Sequence, residues 1–102
     1  MIKKARGHIT LRKSLKIPVT AGARKYGYLY WKRVHDEAIE AFLCGAKAVD
    51  IVFDKTSLGE KTVDYRYRRI SLGWANTRPL PEEVSQFRLA FQDDGRLRIT
   101  CN

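Results

Sequence analysis

A chain of 102 residues is one domain, or one domain with a tail, and it buries only about 65% of its unfolded surface, so a homodimer interface would help it. Its 44% of hydrophobic residues excludes wholesale disorder. Its formal charge of +9 comes entirely from Met1 to His35, which carries Lys3, Lys4, Arg6, Arg12, Lys13, Lys16, Arg24, Lys25, Lys32 and Arg33 and no acid before Asp36.

In chain order, Met1 to Gly7 reads as a basic, flexible arm. From His8 the pattern alternates. Ile9, Leu11, Leu15, Ile17 and Val19 share one face, and His8, Thr10, Arg12, Ser14 and Lys16 share the other. Period two with β-branched residues predicts a half-buried strand with a basic outer face. Pro18 and the run Thr20-Ala21-Gly22-Ala23 end it. Tyr26 to Trp31 reads as a short aromatic strand between Arg24-Lys25 and Lys32-Arg33. Rings interleaved with cations suit base stacking and phosphate contact, whereas tyrosines that pack a sheet are the commoner case.

Asp36 is expected to cap the single helix. Ala38, Ile39, Phe42, Leu43 and Ala46 follow its spacing, and Gly45 stops it. His35, just before it, reads as a packing or capping residue. Lys47 to Asp54 is the next strand, with Val49, Ile51 and Phe53 on one face. Lys55 to Glu60 is expected as a loop and Thr62 to Leu72 as a strand. Val63, Tyr65 and Tyr67 share a face there, but Ile70 and Leu72 take the opposite parity, which predicts a bulge at Arg68-Arg69. That bulge would turn Arg66, Arg68 and Arg69 outward as a second basic cluster; the competing expectation pairs Arg66 and Arg68 with Asp50, Asp54 or Asp64. Gly73 to Pro81 reads as an extended connection. Gln86 to Cys101 reads as a hairpin closed by Asp93-Asp94-Gly95, which sets Phe91 against Leu97, Leu89 against Ile99 and Phe87 against Cys101, with Arg88, Arg96 and Arg98 outside.

The expected fold is therefore α+β and mostly antiparallel: a sheet or small barrel of about six strands and one helix, in the order β-β-α-β-β-β-β. Catalytic signatures are missing: there is no GxSxG, Walker loop, HExxH or GxGxxG, so no catalytic residue is assigned. Cys44 and Cys101 lack metal-ligand spacing, and Asp50 and Asp54 read as a solvated strand face, so no metal or cofactor is expected. No apolar segment follows the basic N-terminus as in a signal peptide, and no apolar run reaches about 18 residues, so no membrane contact is expected. The expected setting is a reducing cytoplasm, with both thiols free and buried.

Lys25 to Gly73 resembles the AbrB/MraZ type of DNA-binding domain. Gly27 to Trp31 stands for its glycine-containing first strand, Lys32 to Leu43 for its strand-to-helix segment, and Ala48 to Asp54 with Arg69 to Leu72 for its closing strands. The resemblance implies a swapped-hairpin dimer presenting Arg24, Lys25, Lys32 and Arg33 to duplex DNA. It covers about half the chain; Trp31 stands where the family has proline.

Charge and resemblance together favour a non-enzymatic DNA-binding protein, a transcriptional regulator or antitoxin-like repressor, with Lys and Arg on phosphates. The site residues expected are the ten cations of the acid-free stretch together with Arg66, Arg68 and Arg69. The alternatives are an RNA-binding protein, including a small RelE-like ribonuclease toxin, and an interaction protein that docks on an acidic partner.

Overall fold

The computed structural model describes residues 14–102. The expected arm and the first part of the first strand, with Lys3, Lys4, Arg6, His8, Arg12 and Lys13, lie outside the described residues. The described chain is a mostly antiparallel α+β fold with seven strands in a nearly closed, barrel-like sheet. The elements are β1 (Ser14–Pro18), α1 (Ala21–Tyr26), β2 (Tyr28–Tyr30), a 3-10 turn (Arg33–His35), α2 (Asp36–Leu43), β3 (Ala48–Phe53), β4 (Thr56–Asp64), β5 (Arg69–Ser71), α3 (Trp74–Thr77), β6 (Gln86–Phe91) and β7 (Leu97–Cys101). The spatial order is β1-β6-β7-β3-β4-β5-β2. Among the described strand pairs only β3 and β7 run parallel.

The alternating patterns become the inner wall of this sheet. Ile17 of β1, Phe87 and Leu89 of β6, Leu97 and Ile99 of β7, and Ile51 of β3 are all fully buried. The β6–β7 hairpin has the expected register, with Phe91 opposite Leu97, Leu89 opposite Ile99 and Phe87 opposite Cys101. Gly95 supplies the left-handed position of its loop at φ 88°. Helix α2 covers the core with Ile39, Phe42 and Leu43, and Phe42 stacks on Phe91 at 5.2 Å. Its end is a glycine-assisted cap: Cys44 is left-handed, and Gly45 N–H donates to the Glu40 carbonyl at 2.9 Å.

Several expected elements are corrected. The run that ends β1 is not a turn but helix α1, capped by Thr20, whose hydroxyl accepts from Ala23 N–H at 3.0 Å. Tyr26 therefore closes a helix rather than opening a strand. Asp36 is the first residue inside α2, and His35 is its cap. The expected loop Lys55 to Glu60 is mostly strand: β3 and β4 join through Asp54-Lys55 alone. A bulge does occur, but in β4, where the register slips beside Leu58-Gly59 and Gly59 takes φ 78°. The parity break at Arg68-Arg69 is instead a chain reversal. Val63 faces Ile70 and Asp64 faces Arg69, so 65–68 form a hairpin turn and 62–72 is two strands. Asp64 Oδ1 accepts from Tyr67 N–H at 3.0 Å to shape that turn.

The connection Gly73 to Pro81 holds helix α3 and docks on α1. Gly27 caps α1 at φ 79°, and its carbonyl accepts from both Leu72 N–H, at 2.7 Å, and Gly73 N–H, at 2.9 Å. A Cβ at Gly27 would lie 2.2 Å from Trp74 N. Thr77, fully buried, donates its hydroxyl to the Arg24 carbonyl at 3.2 Å.

Gly27→Ala combines left-handed strain with a backbone clash and should cost at least about 3 kcal/mol in urea unfolding. Gly45→Ala, at φ 67° with nothing within 4 Å of the added methyl, should cost only about 1–2 kcal/mol. Equal costs would deny that the Gly27 junction is close-packed. The thiols also differ from expectation, since both are free but Cys44 is exposed. Burial pushes the Cys101 thiol pKa up. Native alkylation should label Cys44 quickly and Cys101 slowly, and mass spectrometry of timed samples checks this.

Candidate nucleic-acid interface

The expected site cations that lie among the described residues fall into two groups. Arg24, Arg68 and Arg69 are held by the protein itself. Arg24 reaches across from α1 and donates to the Leu80 and Val84 carbonyls, both at 2.6 Å. Arg68 forks onto Asp36, and Arg69 Nε lies 3.5 Å from Asp64 Oδ2. Lys16, Lys25, Lys32, Arg33 and Arg66 are exposed and belong to none of the ion pairs among the described residues. The three arginines expected to turn outward together are thus divided by the 65–68 turn: Arg66 projects, while Arg68 and Arg69 tie the turn down.

The Arg68 tie is the better built. Arg68 sits at φ 57° on the last residue of the turn. Its Nε lies 2.9 Å from Asp36 Oδ1 and its terminal nitrogen 3.0 Å from Oδ2. Trp31 Nε1 donates to the same Oδ1 at 2.9 Å, and Trp31 N–H donates to the Arg68 carbonyl at 3.0 Å. One carboxylate at the start of α2 therefore collects a guanidinium from the β4–β5 turn and an indole from the end of β2. The Arg68 hydrogen bonds, assisted by Trp31 and the Arg33 charge, hold the Asp36 carboxyl below its ordinary value against a smaller desolvation effect.

The residues from Tyr28 to Trp31 divide by parity. Leu29 and Trp31 enter the core. Tyr28 and Tyr30 lie half-buried on the other face, with ring centroids 5.4 Å apart. Arg69 stands over Tyr28 at 4.6 Å and over Tyr67 at 5.4 Å, and Arg66 stands over Tyr67 at 5.5 Å. Tyr67 is 60% exposed. The β2–β5 ribbon thus ends in a ridge of alternating rings and guanidinium groups.

A second exposed group was not visible in the sequence. Trp74 and Tyr26 are 56% and 57% exposed at the α1–α3 corner. Arg78 stands over Trp74 at 5.4 Å and Lys25 over Tyr26 at 5.3 Å. Trp74 and Arg78 lie in the stretch read as a plain connection. The one signal there was an indole between Gly73 and Pro79, with a cation four residues on. On the sheet's outer face Lys16 sits directly opposite Arg88, both exposed, although like charges across a strand pair are unfavourable. Of the other outward-reading arginines, Arg96 pairs with Asp94 at 2.9 Å and Arg98 is half-buried opposite Val52. Among the described residues no three His, Cys, Asp or Glu side chains converge. No helix among the described residues is long and apolar enough to cross a membrane.

No family model, curated protein or solved structure matches the chain.

The Asp36 knot gives a pH dependence whose sign follows from its lowered pKa. The folded state takes up this proton at lower pH than the unfolded chain, so the stabilisation is complete above the ordinary value of 3.8 and is lost as pH falls through the folded value. Asp36→Asn should lower Tm at neutral pH, and the gap to the parent should close as acid protonates the parent's carboxylate. A gap that stays constant through the acid range would show that Asp36 acts by packing rather than by charge.

Proposed function

We propose that this chain is a non-enzymatic nucleic-acid-binding protein whose exposed lysines and arginines neutralise backbone phosphates. The observation that carries this reading is the set of unpaired surface cations. Lys16, Lys25, Lys32, Arg33, Arg66, Arg78 and Arg88 are all exposed, and none joins the ion pairs among the described residues. Lys16 and Arg88 even face one another, an arrangement that costs stability until an anion bridges it. The residues preceding β1 add five further cations and no acid. A phosphate backbone, with one negative charge per about 1.7 Å of duplex, is the anion whose spacing suits a distributed set of this kind. Asp36, Glu37 and Glu40 load α2 with acid, which favours sheet and turn residues over this helix as the contact surface.

The test is affinity against salt. The logarithm of the binding constant should fall linearly with the logarithm of salt concentration, each phosphate contact adding about 0.9 to the slope on duplex DNA and about 0.7 on a single strand. Arg66→Ala should reduce the slope by about one contact and leave Tm unchanged. Arg68→Ala should lower Tm, because it leaves Asp36 and the 65–68 turn without their tie. An affinity that is flat in salt would overturn the proposal. Preference for one duplex sequence in competition would make the protein a regulator, and cleavage of RNA would make it a ribonuclease instead.

A further inference from the structure

The α1–α3 corner carries an inference that rests on nucleic-acid binding and specifies its form. Trp74 and Tyr26 are each more than half exposed, whereas the other tryptophan, Trp31, is 5% exposed. Folding has left two large rings in water where a polar side chain would serve as well. They are not on a loose segment. Gly27 lets the start of α3 press against the end of α1, and its carbonyl holds Leu72 and Gly73. Asn76 Nδ2 donates to the Leu72 carbonyl at 2.7 Å, and Arg24 anchors Leu80 and Val84. The rings therefore stand on a braced backbone, at little further ordering cost when a ligand arrives.

Their neighbours are cations. Lys25, Trp74 and Arg78 line one surface depression, Lys25 lies over Tyr26, and Arg78 lies over Trp74. No acid lines that depression among the described residues. An apolar flat surface flanked by positive charge matches a base with its phosphates. In a duplex the base faces are already stacked on one another and cannot reach an indole, so this chemistry selects unpaired nucleotides. We propose that the Tyr26–Lys25–Trp74–Arg78 corner is a stacking platform for single-stranded nucleic acid, with a base on the Trp74 ring and the adjacent phosphates on Lys25 and Arg78.

The test uses the full chain, titrated with oligo(dT), oligo(rU), a DNA duplex of equal length and poly-glutamate, read by intrinsic fluorescence. Trp31 is buried, so quenching reports on Trp74. Both single strands should quench, with the ratio of their affinities showing whether RNA or DNA is preferred, while the duplex binds without quenching. Trp74→Ala should weaken single-strand binding roughly five- to 150-fold. Trp74→Phe, which keeps a ring, should retain most of the affinity, and both variants should melt as the parent does. Single-strand affinity unchanged in Trp74→Ala would overturn the platform while leaving phosphate binding intact. Equal quenching by poly-glutamate would also overturn it and point to an acidic protein partner. Failure of every nucleic acid to bind would remove both this inference and the function it rests on.

Discussion

The structure depends on a close backbone approach at Gly27. There the chain leaves α1 in a left-handed conformation, and the Gly27 carbonyl receives two N–H groups from the start of the Gly73 connection. A side chain at this position would occupy the space of the Trp74 backbone. Because the contact joins residues far apart in sequence, it sets three things together. It starts β2 beside β5, it seats α3 on α1, and it brings Lys25 and Tyr26 to the same corner as Trp74 and Arg78. Arg24 then secures the remainder of the connection through carbonyls that would otherwise lack a donor.

The second organising element is the Asp36 carboxylate. It sits at the start of α2, where the helix dipole favours negative charge, and it accepts from Arg68 and Trp31 at once. This is a half-exposed pair, with about a third of each side chain in solvent, so its role is geometric as much as energetic. It aligns the end of β2, the 65–68 turn and the helix. The turn in turn decides what each arginine does. Arg68 and Arg69 are engaged by Asp36 and Asp64, and Arg66 is left at the surface beside Tyr67.

Paired and unpaired cations frame the functional proposal. An arginine already bonded to a carboxylate or to backbone carbonyls must give up those contacts before it can meet a phosphate. An exposed lysine or arginine with no acidic partner gives up only water and counterions. By that criterion Lys16, Arg88, Arg66 and the Lys32-Arg33 pair are better suited to phosphates than Arg24, Arg68 or Arg69. The same criterion separates rings: Trp31 belongs to the core, whereas Tyr67, Tyr26 and Trp74 keep a face in water.

Local patterns in the sequence determined much of the fold. Alternation identified the strand faces that carry Ile17, Ile51, Leu89 and Ile99, helical spacing located α2, and Asp93-Asp94-Gly95 specified the β6–β7 register. These features are legible because each depends on neighbours a few residues away and on which side meets water. The failures share a cause as well. A parity change at Arg68-Arg69 has the same signature whether a strand bulges or reverses, and only the pairing of Val63 with Ile70 distinguishes them. Net charge located the cations but could not tell a bonded arginine from a free one, because Asp36 lies 32 positions from Arg68. Nor could it place Lys25 beside Trp74. Composition and periodicity therefore determined the class of fold and the sign of its surface. The tertiary structure alone decided which charges and rings remain available, since that depends on contacts between distant segments that no local pattern encodes.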